Sequence, residues 1–405
     1  MPLWEGVSVE DELQELVILS GRKNFVLSLR PFNFKSMISG KKLFLLVLAL
    51  LSAVAMMAQD ATYKFTSQGL IKSVVNENGT VEQYNVFKPI VLFKSKYELS
   101  TTDGEGRFSV RHATLGTRGQ ISKTLSYCYH IDFSTENKIT VLDLYARLTP
   151  TDRWTFTLGQ QYHPLFNSWT VAPNDVDYVN RPFVGKYFAS SRDIGFTAKY
   201  ALKKEGFPIN LEYGVYNGTS INNPTWNSSM VQGGRVEFGS VKKGIRATAK
   251  FFSAKNAQDT KDLYWGADLR YACDAFKVES EVMTKNMPLQ DICACEPGTV
   301  APCQPGTLSA AYVQAMYRVK TKCSSLKRIE PLLRWDAMGY DMKKRGFGVN
   351  RVTAGLNFVL NTSYTSMFRI NYEQYFNNSM DMSALYKEPH YNHNKLSFEL
   401  LLYFL

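Results

Sequence analysis

The chain closes with Lys395-Leu-Ser-Phe-Glu-Leu-Leu-Leu-Tyr-Phe-Leu405. Leu396, Phe398, Leu400, Leu402 and Phe404 repeat at every second position. Alternation with a period of two marks a strand with two unlike faces. As the exposed edge of a soluble sheet, this segment invites aggregation. As the closing strand of a membrane barrel, its apolar face meets lipid and both of its edges are paired. The segment therefore predicts an all-β fold, a transmembrane antiparallel β-barrel.

The same alternation recurs upstream. Leu125, Tyr127, Tyr129, Ile131 and Phe133 oppose Ser126, Cys128, His130, Asp132 and Ser134. The phase then reverses, with Leu142, Leu144 and Leu148 against Asp143, Tyr145 and Arg147. Val352, Ala354, Leu356, Phe358 and Leu360 stand against Arg351, Thr353 and Asn357. About 16 strands of roughly 10–13 residues are predicted, the first near Phe87 and the last at Lys395. A tilted strand needs that length to cross a bilayer, whereas sandwich strands run nearer ~5–6 residues. The connections sort by length in alternation. Short ones fall at 122–123, 150–153, 203–207, 240–243, 274, 322–326 and 362–363, and long ones at 167–191, 217–230, 287–308 and 377–394. Short periplasmic turns and long external loops are the barrel pattern.

Composition agrees. A chain of 405 residues is long enough for two or three soluble domains or for one large barrel. No apolar run of about eighteen residues exists outside the neighbourhood of 43–58, which excludes a multi-span helical protein. The 25 Phe and 23 Tyr suit aromatic girdles at two membrane interfaces. The formal charge of +11 is spread along the chain, and without a concentrated basic segment it argues against nucleic-acid binding.

Met37-Ile-Ser-Gly-Lys-Lys42 followed by Leu43-Phe-Leu-Leu-Val-Leu-Ala-Leu-Leu-Ser-Ala-Val-Ala55 has the basic start, short apolar stretch and small-residue cleavage site of an export signal. The predicted division is an upstream extension over 1–36, a signal peptide over 37–58 and the barrel over 59–405. The alternative for 43–57 is a buried core helix.

Phe108-Ser-Val-Arg-His-Ala-Thr-Leu-Gly-Thr-Arg-Gly119 resembles the early-strand signature of the phosphate-selective porin O and P family. Ile131-Asp132-Phe133, Leu142-Asp143-Leu-Tyr145, Leu158-Gly159-Gln160 with Pro164, and Arg192-Asp193-Ile194-Gly195 follow in that family's order. His112 departs from it, standing where a second arginine is frequent. The match is best over 108–200 and continues as barrel pattern to the end. The resemblance implies a sixteen-stranded barrel of the Gram-negative outer membrane, usually trimeric, with the third external loop folded into the lumen. It also implies passive passage of small hydrophilic solutes, often anions such as phosphate, with no cofactor. The partners so implied are the solutes, outer-membrane lipid, two further copies of the chain, and the barrel-assembly machinery acting on the C-terminal strand.

Polar residues opposite the apolar stripe face the lumen. By this rule and the resemblance, the wall includes Arg111, Asp143, Arg147, Arg192, Lys199, Arg246, Arg270 and Arg351, mixed with acids such as Asp268, Asp336 and Glu373. Such a wall braces itself with cross-strand ion pairs, and selectivity arises where one sign clusters at a constriction. The loop 167–191 is the candidate constriction, with Asp175, Asp177, Arg181 and Lys186 as its charged residues and Trp169, Tyr178, Phe183, Tyr187 and Phe188 as anchors. Cys293 or Cys295 with Cys303 forms a candidate loop disulfide. Cys273 and Cys323, both at short turns, form a second candidate pair, and Cys128 faces the lumen alone. No metal-ligand spacing and no catalytic fingerprint is present. Two alternatives to a porin stay open: a plugged barrel acting as adhesin or scaffold, and a barrel hydrolase built on a Ser–His or Asp–His constellation at the external rim, with His163 its candidate base.

Overall fold

The computed structural model describes residues 61–66, 69–76, 78–135, 138–164, 174, 176–187, 192–227, 229–240, 243–255, 261–288, 305–362, 364–377 and 392–404. The predicted extension and export signal lie outside the described residues, as do Asp175 and the loop carrying Cys293, Cys295 and Cys303.

Two strands, β1 (Ala61–Thr66) and β2 (Gly69–Val75), form a hairpin that pairs with the first part of β3 (Val81–Ser100). The chain then runs up and down through β4 (Gly106–Gln120), β5 (Leu125–Thr135), β6 (Lys138–Leu148), β7 (Trp154–Tyr162), β8 (Arg192–Lys203) and β9 (Ile209–Tyr216). The far wall is β10 (Val231–Gly239), β11 (Gly244–Lys255), β12 (Lys261–Ala272), β13 (Phe276–Pro288) and β14 (Pro305–Tyr317). After Arg318 the last of these continues as the short β15 (Val319–Lys320), and both pair with β16 (Leu326–Tyr340). Then come β17 (Val349–Leu360), β18 (Thr365–Asn377) and β19 (Lys395–Phe404). Each pairs with its neighbour, and β19 returns to β3, from Lys395↔Ser100 to Phe404↔Val91. With β14 and β15 counted as one wall strand, the described residues form a closed antiparallel barrel of sixteen strands. Closure leaves no unpaired edge among the membrane strands, as backbone in hydrocarbon requires.

The burial is inside out relative to a soluble domain. Leu115, Leu144, Leu158, Leu269 and Leu333 are each more than half exposed on the outer wall, while Arg246, Arg334, Asp336 and Glu279 are fully buried. Water cannot produce that inversion at equilibrium. Lipid outside and a polar, packed lumen inside produce it. The apolar stripe of β19 (Leu396, Phe398, Leu400, Leu402, Phe404) alternates with buried Ser397, Glu399 and Leu401, so the terminal pattern reads as lipid side against lumen side. An arginine at Leu144, which is 54 % exposed, is expected to cost about 2–4 kcal/mol. Ser126→Arg, on the lumen side of the next strand, is expected to fold like the parent. Heat-modifiable migration of refolded protein checks this, and equal losses in the two variants would mean that the faces are misassigned.

Connections at one end are tight: 121–124, 149–153, 204–208, 240–243, 273–275, 321–325 and 361–364. The other end carries the long segments 163–191, 217–230, 289–304 and 378–394. Among the described residues two one-turn helices occur in the connections of that end, α1 (Phe183–Tyr187) and α2 (Met342–Arg345). Cys128 is buried on the lumen side, and Cys273 and Cys323 are free thiols, so the second candidate disulfide is not formed.

The lumen is not uniformly polar. Phe183 and Val184 of α1 pack on Tyr216, Val231, Phe252, Tyr264, Met283, Leu308, Tyr312, Met338, Tyr340 and Val349. These wall residues line the outer half of β9–β17. Period-two reading assigned lumen positions by polarity and so passed over this apolar half. It is apolar because the apolar side chains of α1 pack there.

Candidate functional site

Residues 176–187, part of the connection between β7 and β8, lie against the lumen side of the wall and are tied to it by their own backbone. The buried peptide groups of a loop must find partners, and here lumen side chains supply them. Val179 donates its N–H to Asn371 Oδ1 (2.7 Å) and Phe183 to Asp336 Oδ2 (3.1 Å). Asn357 Nδ2 donates to the Asp177 carbonyl (2.9 Å), Arg334 Nη1 to that of Asn180 (3.0 Å) and Arg351 Nη2 to that of Arg181 (2.8 Å). Aromatic anchors complete the seat: Tyr178 lies under the Arg334 guanidinium at 4.3 Å and Phe183 under that of Arg351 at 4.6 Å.

Asp177 turns to the wall, where its carboxylate pairs with Lys277 and accepts from Gln314 Nε2 (3.3 Å). Arg181 and Lys186 lie at the opposite edge of the loop. They line a cavity of about 270 Å³ together with Lys96, Glu98, Arg107, Arg111, Asn180, Arg351, Tyr375 and Lys395. Seven of these lining side chains are cations, and Glu98 is the one carboxylate among them. Glu98 is shared between Lys96 (2.6 Å) and Arg107 (3.0 Å). Arg351 is neutralised by Asp336 (2.6 Å) and Glu373 (3.2 Å). Arg111 gives its protons to neutral acceptors, the Val179 carbonyl (2.8 Å) and Asn180 Oδ1 (2.7 Å). Neither Arg111 nor Lys395 has an ion-pair partner among the described residues. Burial, with Arg111 and Arg192 nearby, pushes the Arg181 guanidinium down to about 10. The result is a cationic eyelet between the loop and the wall of β3 and β4.

The remaining predicted wall residues are distributed around it. Asp143 holds Arg192 (2.8 Å) and His130 (3.4 Å). His112, the departure from the family pattern, pairs with Asp132 at 3.0 Å. Arg246 and Lys250 converge on Asp268 (2.5 and 3.1 Å), and Arg270 donates to the Ser240 carbonyl. Lys199 lies opposite Glu212 on the neighbouring strand. Arg147 sits near the short-turn end, away from the eyelet. Sequence reading missed Lys96, Arg107 and Lys395. The signal was present: Lys94, Lys96 and Glu98 alternate with Phe93, Ser95 and Tyr97 along β3.

The hydrolase alternative has a geometric counterpart at the external rim. His393 Nδ1 is 3.1 Å from Asp103 Oδ2 and 3.5 Å from Ser100 Oγ. Both contacts use the same ring nitrogen, whereas a nucleophile relay needs one nitrogen for the serine and the other for the acid. His163 is buried between Tyr216 and Phe252, 3.9 Å from Asp193.

Residues 95–260 match the family model for phosphate-selective porin O and P. Over that span the chain is similar to this porin family. Solved structures share the barrel. The outer membrane channel DcaP of Acinetobacter baumannii superposes with a TM-score of 0.53 at 12 % identity, covering 79 % of this chain and 97 % of that one. OmpF of Salmonella typhi gives 0.55 at 11 %, over 85 % and 100 %. An anion-selective porin from Comamonas acidovorans gives 0.53 at 9 %, over 78 % and 98 %. OmpT of Vibrio cholerae in its trimer form gives 0.52 at 10 %, over 79 % and 99 %. A comparison with curated protein sequences finds no match. The porin is thus an outer-membrane channel of Gram-negative type for passive diffusion.

Proposed function

We propose that the porin passes small anionic solutes and works as a homotrimer without catalysing a reaction. The observation that carries the anion preference is the eyelet, where Arg111 and Lys395 face the cavity without carboxylate partners among the described residues. Cations uncompensated at a narrow, low-dielectric passage favour anions there. The acids that neutralise the rest of the wall, such as Asp268, Asp336 and Glu373, are each paired with wall cations. The anion-selective porin of similar fold and the trimeric OmpT form support the same reading.

The test is conductance of the purified full-length protein in planar bilayers. Discrete, ohmic steps are expected, together with a detergent-stripped mass three times that of the protomer. Silent insertion of correctly folded protein would favour the plugged scaffold.

A further inference from the structure

The outer wall of the barrel carries a hollow of about 570 Å³ across β7–β11, near their short-turn ends. That volume is usual for a small-molecule site. Ala198, Val236 and Ala249 supply its short side chains, and Trp154, Tyr200 and Phe251 stand around them. Val236 and Ala249 are direct cross-strand partners, so two short residues lie side by side. The three short residues are on the lipid side of their strands, out of phase with the buried lumen residues Thr197, Glu237 and Thr248.

The outer wall of a barrel is convex, so a hollow in it needs short side chains among tall ones that stay upright or lean away. Here the tall ones are held by each other. The Trp154 ring lies 4.6 Å from that of Tyr200 and stacks on Phe156 at 5.5 Å, and Phe156 stacks on Phe196 at 5.9 Å. This makes one continuous aromatic bank along β7 and β8. On the other side Phe251 leans over its cross-strand partner Gly234, where a Cβ would stand 2.9 Å from the ring. The floor between the banks is left open.

A second observation chooses the occupant. Arg153 and Lys203 stand at the short-turn rim of the same strands, and both are exposed. Neither has an ion-pair partner among the described residues, whereas the adjacent Lys204 is paired with Asp152 at 2.7 Å. Arg153 Nη1 donates to the Tyr200 hydroxyl at 3.5 Å, which ties this cation to the aromatic bank. Trp and Tyr mark headgroup depth in a membrane protein, and cations at that depth attract anionic lipid. The hollow opens to hydrocarbon and its rim carries positive charge without partners, so an acyl chain meets the one and a negative headgroup the other. We propose that the hollow is a fixed site for one anionic glycerophospholipid of the leaflet on the short-turn side. An acyl chain lies over Ala198, Val236 and Ala249 between the two aromatic banks, and the headgroup meets Arg153 and Lys203. The site depends on the lipid-facing wall and not on what the channel passes.

Native mass spectrometry of the full-length protein, released from micelles containing dioleoyl phosphatidylglycerol or dioleoyl phosphatidylcholine, tests the site. The parent is expected to retain a single phosphatidylglycerol per protomer. Ala198→Leu/Ala249→Leu fills the hollow with apolar groups that a lipid face tolerates, and Ala249→Leu alone fills part of it. Both are expected to keep parental heat-modifiable migration, and the double variant to lower retention of either lipid about tenfold. Arg153→Gln/Lys203→Gln is expected to lower retention of phosphatidylglycerol about tenfold and to leave phosphatidylcholine unchanged. Ala354→Leu, an exposed alanine on the lipid side of β17, is expected to behave as the parent. Equal retention in the parent and the folded hollow-filling variants overturns the proposal, as does an equal loss in Ala354→Leu. A filled variant that sheds lipid and also falls from trimer to monomer overturns it too, because the hollow would then hold a second copy of the chain.

Discussion

Asp336→Ala is expected to lower the unfolding free energy by about 3–5 kcal/mol and to loosen the third external loop. The Asp336 carboxylate is fully buried on β16. It accepts from Arg351 Nε (3.0 Å) and Nη2 (2.6 Å), lies 3.9 Å from Arg334 Nε, and takes the Phe183 N–H at 3.1 Å. Removing it leaves two buried guanidiniums to share Glu373 and leaves a loop N–H without that acceptor. An uncompensated buried charge costs far more than the intact pair contributes. Asp336→Asn keeps the acceptor for Phe183 but not the charge, so it is expected to fall between parent and alanine. Urea unfolding in lipid vesicles measures the stability. Fluctuating substates in single-channel records, absent from the parent, report the freed loop. A stable alanine variant with quiet conductance would show that the loop is seated by the aromatic contacts and not by this knot.

The second large effect concerns the loop itself. Deletion of residues 170–188 is expected to raise single-channel conductance at least about twofold, because it removes α1, the loop side of the eyelet and the filling of the apolar half of the lumen. It also exposes Tyr264, Tyr312, Met338 and Tyr340 to the lumen, all of them now buried. The deletion is therefore expected to be less stable as well as more conductive. An unchanged conductance would mean that the passage runs elsewhere and that the loop is only a strut.

Strand phase was legible in the sequence because lipid and lumen impose opposite demands on successive residues. Leu144 and Asp143, or Leu400 and Glu399, leave little choice of face. Three things were less legible. The first strand is longer than its alternation suggested, because its beginning (Val81–Phe87) pairs with the β1–β2 hairpin and not with the barrel. The apolar half of the lumen could not be told from a lipid face by residue type, since Met283 and Met338 are apolar for the sake of α1. The role of a charged loop residue depends on which way the loop turns. Asp177 and Arg181 are four positions apart, yet one meets Lys277 on the wall and the other lines the eyelet. Period-two reading assigns a face to strand residues and says nothing of loops. The eyelet also draws Lys96 and Arg107 from strands and Lys395 from the start of the last one, residues remote in sequence that only barrel closure brings together.

The central claim is that the eyelet's positive charge sets an anion preference. Reversal potentials across a tenfold potassium chloride gradient test it most directly, measured on the parent and on Arg181→Gln/Lys186→Gln/Lys395→Gln. The parent is expected to favour chloride, and the triple variant to move toward potassium with little change in conductance. A parent that favours potassium, or a folded triple variant with the parent's reversal potential, would contradict the claim.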